Sequence, residues 1–220
     1  MRAQREAGGY RAGLAAALLT LLLLGGCGGL PLLQQPQEAP VHTYLLEWQP
    51  AAPAPPPDPA GPTLLVAPVL SAPGFDSADM AYIRTAHEIE YFARHRWVDA
   101  PAHMLEPLLV RAAERTGLFR GVAAPGSGVE AELRLDSRLL YLQQVCRLEP
   151  SELQLALRVS LVDVPRARIV ATRTLRVTEP LEAHTPYAGV QAANRAVARL
   201  LDQLQDFLAG QLRARSTAPP

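Results

Sequence analysis

Two runs of alternating residues constrain the fold of this chain of 220 residues more than any other feature. Leu133, Leu135, Leu139, Tyr141 and Val145 share one parity, while Arg134, Asp136, Arg138 and Gln144 take the other. Leu153, Leu155, Leu157, Val159 and Leu161 repeat the pattern against Glu152, Gln154, Arg158 and Ser160. Successive side chains of a strand point to opposite faces. One apolar parity beside one polar parity therefore describes an antiparallel sheet with a single wet face. Asp163 to Arg168 reads as the turn after the second run, since Pro165 presets φ and Asp163 can bond the backbone. Ile169 to Thr178 returns as a further strand.

Other segments supply shorter strands. Leu64 to Leu70 is an apolar run in which Pro68 demands an edge or a bulge. Met80–Arg84 and Glu88–Val98 read as a β-hairpin. In its second arm Ile89, Tyr91, Ala93 and Trp97 alternate with Glu90, Phe92, Arg94 and Arg96. Pro101 to Thr116 reads as a helix with Leu105, Leu108, Leu109 and Ala112 on one face and Gly117 as its stop, and Pro107 fits only near a helix start. A longer helix is expected over Pro186–Arg213. There Val190, Ala193, Val197, Leu200, Leu204 and Phe207 step by three and four, and Leu201 and Leu208 widen the stripe. That stripe suits packing on the sheet, with a partner-binding coiled coil as the alternative. The expected fold is α+β, a mostly antiparallel β-sheet covered on one face by two helices.

The N-terminus carries a different message. Arg2, Arg5 and Arg11 precede an apolar and small-residue run from Leu14 to Leu24, and Leu24-Gly25-Gly26-Cys27 closes it. A positive region, an apolar core of about 7–15 residues and small residues at the cut make a secretory signal. The cysteine turns that signal into a lipobox, so residues 1–26 read as a lipoprotein signal peptide and Cys27 as the lipid attachment site. A plain secretory signal with an incidental cysteine is the alternative. Residues 27–62 then read as a lipidated Cys and Pro-rich tether, holding ten of the chain's 21 prolines within 28–62 and interrupted by a possible short strand at 43–48. Residues 63–213 form the folded domain and 214–220 a disordered tail.

Chemistry is sparse. Beyond the leader remain 18 basic and 20 acidic side chains, a balance that does not suggest a nucleic-acid partner, and every basic residue is Arg. No Gly-x-Ser-x-Gly elbow, His-Glu-x-x-His pair or phosphate-binding glycine loop occurs. The spacing of His87, His95 and His103 fits no usual metal-ligand interval. Glu88 and Glu90 share a strand face, as acid–base partners or as solvated carboxylates. His95-Arg96-Trp97 reads as ordinary packing of Trp97 or as a cation–π anchor. With Cys27 acylated, Cys146 is a free thiol, read as a small buried hydrophobe. No catalytic residue, cofactor or metal is assigned.

The order of these elements resembles the ABC-type transport auxiliary lipoproteins, including the PqiC-like intermembrane transport lipoproteins. The likeness starts at Cys27 and resumes at Tyr44-Leu45-Leu46. It continues through Leu65-Val66-Ala67-Pro68-Val69, Ile89-Glu90-Tyr91, Arg96-Trp97, Gly117-Leu118-Phe119 and the Asp163 hairpin, and ends with the helix Tyr187–Leu208. Members of that family are non-catalytic. The resemblance implies an outer-membrane anchor facing the periplasm, with an MCE-domain protein and an ABC permease and ATPase as partners in lipid transport, and self-association into a homo-oligomer. Gly28, where an Asp would favour the inner membrane, agrees with the outer one. Only Cys27 carries over with a defined role. A structural or assembly lipoprotein of another envelope complex, or an anchored hydrolase, are the competing readings.

Overall fold

The structure is a computed structural model that describes residues 39–147 and 149–217. The signal peptide, Cys27 and residues 218–220 lie outside the described residues. Ten elements follow in order: β1 (His42–Tyr44), β2 (Thr63–Ser71), β3 (Asp79–Ile83), β4 (Glu90–Trp97), α1 (Pro101–Glu114), β5 (Gly121–Ala123), β6 (Leu133–Val145), β7 (Glu152–Asp163), β8 (Arg168–Pro180) and α2 (Pro186–Thr217).

All eight strands join one sheet organised around β6. One edge of β6 carries β7 along its whole length, and β8 follows outside β7. The other edge is shared. β2 pairs with its first half, Leu133 to Leu139, and β3 with its end, Gln143 to Val145. The sheet therefore forks into a β2–β5 branch and a β3–β4–β1 arm.

The fold is α+β with two helices, but the expectation of a mostly antiparallel sheet is corrected. Four strand pairings are parallel (β1–β4, β2–β5, β2–β6, β3–β6), and three are antiparallel (β3–β4, β6–β7, β7–β8). Sequence alternation reports which face of a strand is buried and not which strand lies beside it. The short strands reach non-consecutive neighbours through crossovers, and these are the parallel contacts.

A second correction concerns parity along β6. Its inward set is Leu133, Leu135, Ser137 and Leu139, then Leu142 and Gln144. A β-bulge between Leu139 and Tyr141 adds one residue and exchanges the faces. Tyr141 thus lies opposite Ala156 on the outer face and is only half-buried. Gln144, expected on the wet side, is buried, and its Nε2 donates to the Pro186 carbonyl at 3.4 Å. Gly189 makes room for it: a Cβ there would stand 1.8 Å from Gln144 Nε2.

Both helices pack on the same face of the sheet and against each other, α1 over β2 and β5, α2 over β7 and β8. The helix stripes read from the sequence are the buried ones, with Leu105, Leu109, Ala112, Val197, Leu200, Leu204 and Leu208 closed to solvent. Pro107, expected near a helix start, instead sits inside α1 on its exposed side, six residues after Pro101. Gly117 ends this segment with φ +65°, a left-handed conformation that costs glycine nothing. Pro68 lies at a bulge of β2, beyond the stretch paired to β5, and the freed Val69 N–H donates to Glu106 of α1 at 2.9 Å.

Two buried carboxylates bolt α2 to the sheet. Glu179 of β8 meets Arg195 at 3.3 Å and Arg199 at 2.9 Å. Asp163, at the end of β7, meets Arg215 at 2.9 Å, and this contact accompanies the extension of α2 to Thr217, beyond the expected end at Arg213. Burial alone would raise the Asp163 pKa. The Arg166 backbone N–H and the Arg215 and Arg166 guanidinium groups outweigh it and hold the carboxyl below its ordinary value.

Segment 42–62 is part of this body. Leu46 and Trp48 are in the core, and Arg111 of α1 and Arg115 just after it both stand 5.6 Å from the Trp48 ring. Arg111 donates to the Trp48 carbonyl at 3.1 Å, and the Asp58 N–H donates to the Gly117 carbonyl at 3.0 Å. The Pro-rich residues 51–60 lie exposed on the surface but are tied to the end of α1.

Candidate functional site

The β3–β4–β1 arm gathers most of the side chains singled out in the sequence. His42 and His95 are opposite each other across β1 and β4, with rings stacked at 5.0 Å and 11°. The Tyr44 hydroxyl lies 3.0 Å from His95 Nδ1, and Tyr44 touches Tyr187 at the start of α2. Phe92 meets His95 edge-on at 6.2 Å and Tyr82 at 4.4 Å. Burial, and then the neighbouring His42, lower the His95 pKa, so this imidazole is held neutral. Trp97 is in the core, the ordinary-packing reading of that residue.

Glu90 is not free for acid–base work. Arg84 grips both its oxygens, with Nε at 2.8 Å from Oε1, and Tyr82 donates to Oε2 at 2.9 Å. The Arg84 bond, helped by Tyr82 and opposed by burial, lowers the Glu90 pKa. Such a carboxylate is a fixed anionic acceptor, and Glu88 stands exposed without sharing the grip.

The three histidines spaced by eight do not converge. His87 is in the turn before β4 with φ 68°, and His103 pairs with Asp99 at 3.2 Å on α1. Among the described residues no group of three His, Cys, Asp or Glu side chains is set to hold a metal ion. Cys146 is half-buried and its thiol pKa is raised, chiefly by burial, which disfavours the reactive thiolate. A void under Trp97 and Gln144 measures about 10 Å³, room for about one water. A larger groove of about 700 Å³ is open to solvent. It is walled by Asp58, Arg120, Glu132 and the end of α2, with Arg120 paired to Glu132 at 2.7 Å. Neither is the enclosed apolar pocket, with a few convergent polar groups, that holds a small molecule. Among the described residues no helix is long and apolar enough to cross a membrane.

Sequence reasoning missed His42, Tyr44 and Tyr187 as partners of His95. Positions 42, 95 and 187 have no local signal in common, because the parallel β1–β4 pairing alone brings the first two together. It also missed the pairing of the Ser151 hydroxyl with His184 Nδ1 at 3.0 Å, which ties the start of β7 to the loop before α2.

The model of the ABC-type transport auxiliary lipoprotein component family matches residues 44–205, from the end of β1 into the sixth turn of α2. Among solved structures, a Xanthomonas campestris protein assigned to the DUF330 family superposes with a TM-score of 0.66. It is 22% identical and covers 80% of this chain and 99% of its own. An uncharacterised protein superposes with a TM-score of 0.60 at 10% identity, covering 77% and 99%. These likenesses establish the fold. No curated protein matches the sequence.

Proposed function

Because this chain belongs to the ABC-type transport auxiliary lipoprotein component family, we propose that it is a non-catalytic adaptor of an MCE-type lipid transport system. In this reading Cys27 carries the acyl chains, and the folded body faces the periplasm from the outer membrane. One acyl chain binds a bilayer only marginally, so stable mooring requires more than one. The body docks an MCE-domain protein, whose permease and ATPase complete the machine, and it works as a homo-oligomer.

The observation that carries the reading is the family match over residues 44–205, a span that holds β2 to β8 and the larger part of α2. It leaves Cys27 ahead of the matched body, where an anchor can be acylated without disturbing the fold. The side chains agree with an adaptor: Glu90 is locked, the half-buried Cys146 has a raised thiol pKa and the larger groove is open to solvent.

Affinity capture of the full-length acylated protein from cross-linked membranes tests this. Recovery of an MCE-domain protein with its permease is the expected result. Recovery of only secretion or outer-membrane assembly components would reject the transport reading in favour of another envelope complex.

A further inference from the structure

The helices cover one face of the long hairpins and leave the other to solvent. On that outer face Arg138 of β6 lies directly opposite Arg158 of β7. Arg176 of β8 pairs with Ala156, two residues along β7 from Arg158, so it is the diagonal neighbour in the same row. All three are exposed. None has a carboxylate partner among the described residues, whereas the nearby Arg134 is held by Asp136 through two bonds of 2.7 and 2.9 Å. Like charges directly opposite in a ladder destabilise a sheet. The chain carries 21 basic and 21 acidic residues, yet the acid nearest the row, Asp136, is engaged by Arg134.

We propose that the Arg138–Arg158–Arg176 row is a docking surface for an extended acidic segment of a partner protein. Directly opposite residues have Cβ atoms about 4.5–5.5 Å apart, and diagonal ones about 7–8 Å. Alternate side chains of an extended segment repeat at about 6.6 Å, so successive carboxylates on one side of it match the row. The guanidinium fork grips a carboxylate with two parallel bonds. The flanking Ser160, Thr172, Thr174 and Thr178 offer hydroxyls and no bulk. A bilayer is the poorer occupant. Asp136 lies opposite Ser160 beside the row, and Glu152 lies farther along the same face of β7. A plane of lipid phosphates would press on both acids, while a narrow segment following the arginines avoids them. The proposal rests on the adaptor reading only for there being a partner.

The test uses the soluble body beginning after Cys27, a labelled deca-glutamate peptide, and vesicles containing phosphatidylglycerol. The wild type binds the peptide, and added salt weakens binding. R138Q/R158Q/R176Q raises Kd by about tenfold or more. R94Q/R173Q removes two exposed arginines from outside the row and leaves Kd unchanged, since Arg173 faces the helix side opposite Val159. The triple variant melts at or above the wild-type temperature, because a repulsion is relieved; a fall in Tm would assign the arginines a structural role and overturn the proposal. Equal Kd for all three proteins, no peptide binding by the wild type, or arginine-dependent binding to vesicles alone would also overturn it. Failure to capture an MCE-domain protein while the peptide result holds would defeat the adaptor reading and leave this surface standing.

Discussion

Along β7, Leu155, Leu157 and Leu161 are fully closed to solvent; across β6 they face Leu142, Leu139 and Leu135, and across β8 they face Val177, Leu175 and Ala171. In the β3–β4–β1 arm the corresponding places hold half-buried rings, namely Tyr82, Phe92, His95 and Tyr44, joined by hydrogen bonds and stacking. The long hairpins pair over twelve positions on each side of β7, while β1 is held to β4 by three. The first region is a leucine-rich apolar layer flanked by two buried carboxylates, Asp163 and Glu179, each paired with arginines. The second carries polar groups among its rings, including His95, whose pKa is lowered chiefly by burial, and ends in the short edge strand β1.

Truncation should separate the two regions most strongly. Leu157→Ala empties a site closed on every side and should cost about 2–5 kcal/mol, measured by urea denaturation. Tyr44→Ala in the arm should cost clearly less, because its ring is only half-buried; equal losses would erase the distinction. A middle-sized effect tests the seam between the regions. Gly189→Ala drives a Cβ into Gln144 and should cost about 1–3 kcal/mol. Adding Gln144→Ala should recover most of that loss, and additive losses would show that the close approach is not what demands glycine.

The smallest effect is the pH response. His95 has a folded-state pKa below its ordinary value, so the unfolded chain takes up its proton first. Stability should therefore decline as pH falls below about 6.5, and level off once the folded imidazole is also protonated. Glu132 titrates elsewhere. The Thr63 N–H, and then Arg120, push its pKa down to about 2, so its contribution is complete above the ordinary carboxylate range and fades as pH falls toward that value. His95→Gln should flatten the neutral branch of a Tm-versus-pH curve and leave the acid branch. A curve unchanged near neutrality would remove the arm as a pH-sensitive region.

The same contrast decided what the sequence disclosed. β7 was legible because its alternation is unbroken and its neighbours on both sides are adjacent in the chain. The stripe of α2 was legible for the equivalent reason at helical spacing. β6 was legible only to Leu139, since the bulge that exchanges its faces leaves Leu140 looking like any other strand residue. The parallel contacts of β1, β2, β3 and β5 were not legible, because each depends on a partner a crossover away. The His42–His95 stack belongs to that class, and so does the Arg138–Arg158 opposition, which exists only once the β6–β7 register is known.

Mass spectrometry of the N-terminal peptide from protein extracted with detergent from cell membranes tests the account most directly. It should begin at Cys27 and carry a thioether-linked diacylglyceryl group with a further acyl chain on the amine. An N-terminus at another residue, or Cys27 with a free thiol, would contradict the anchored adaptor.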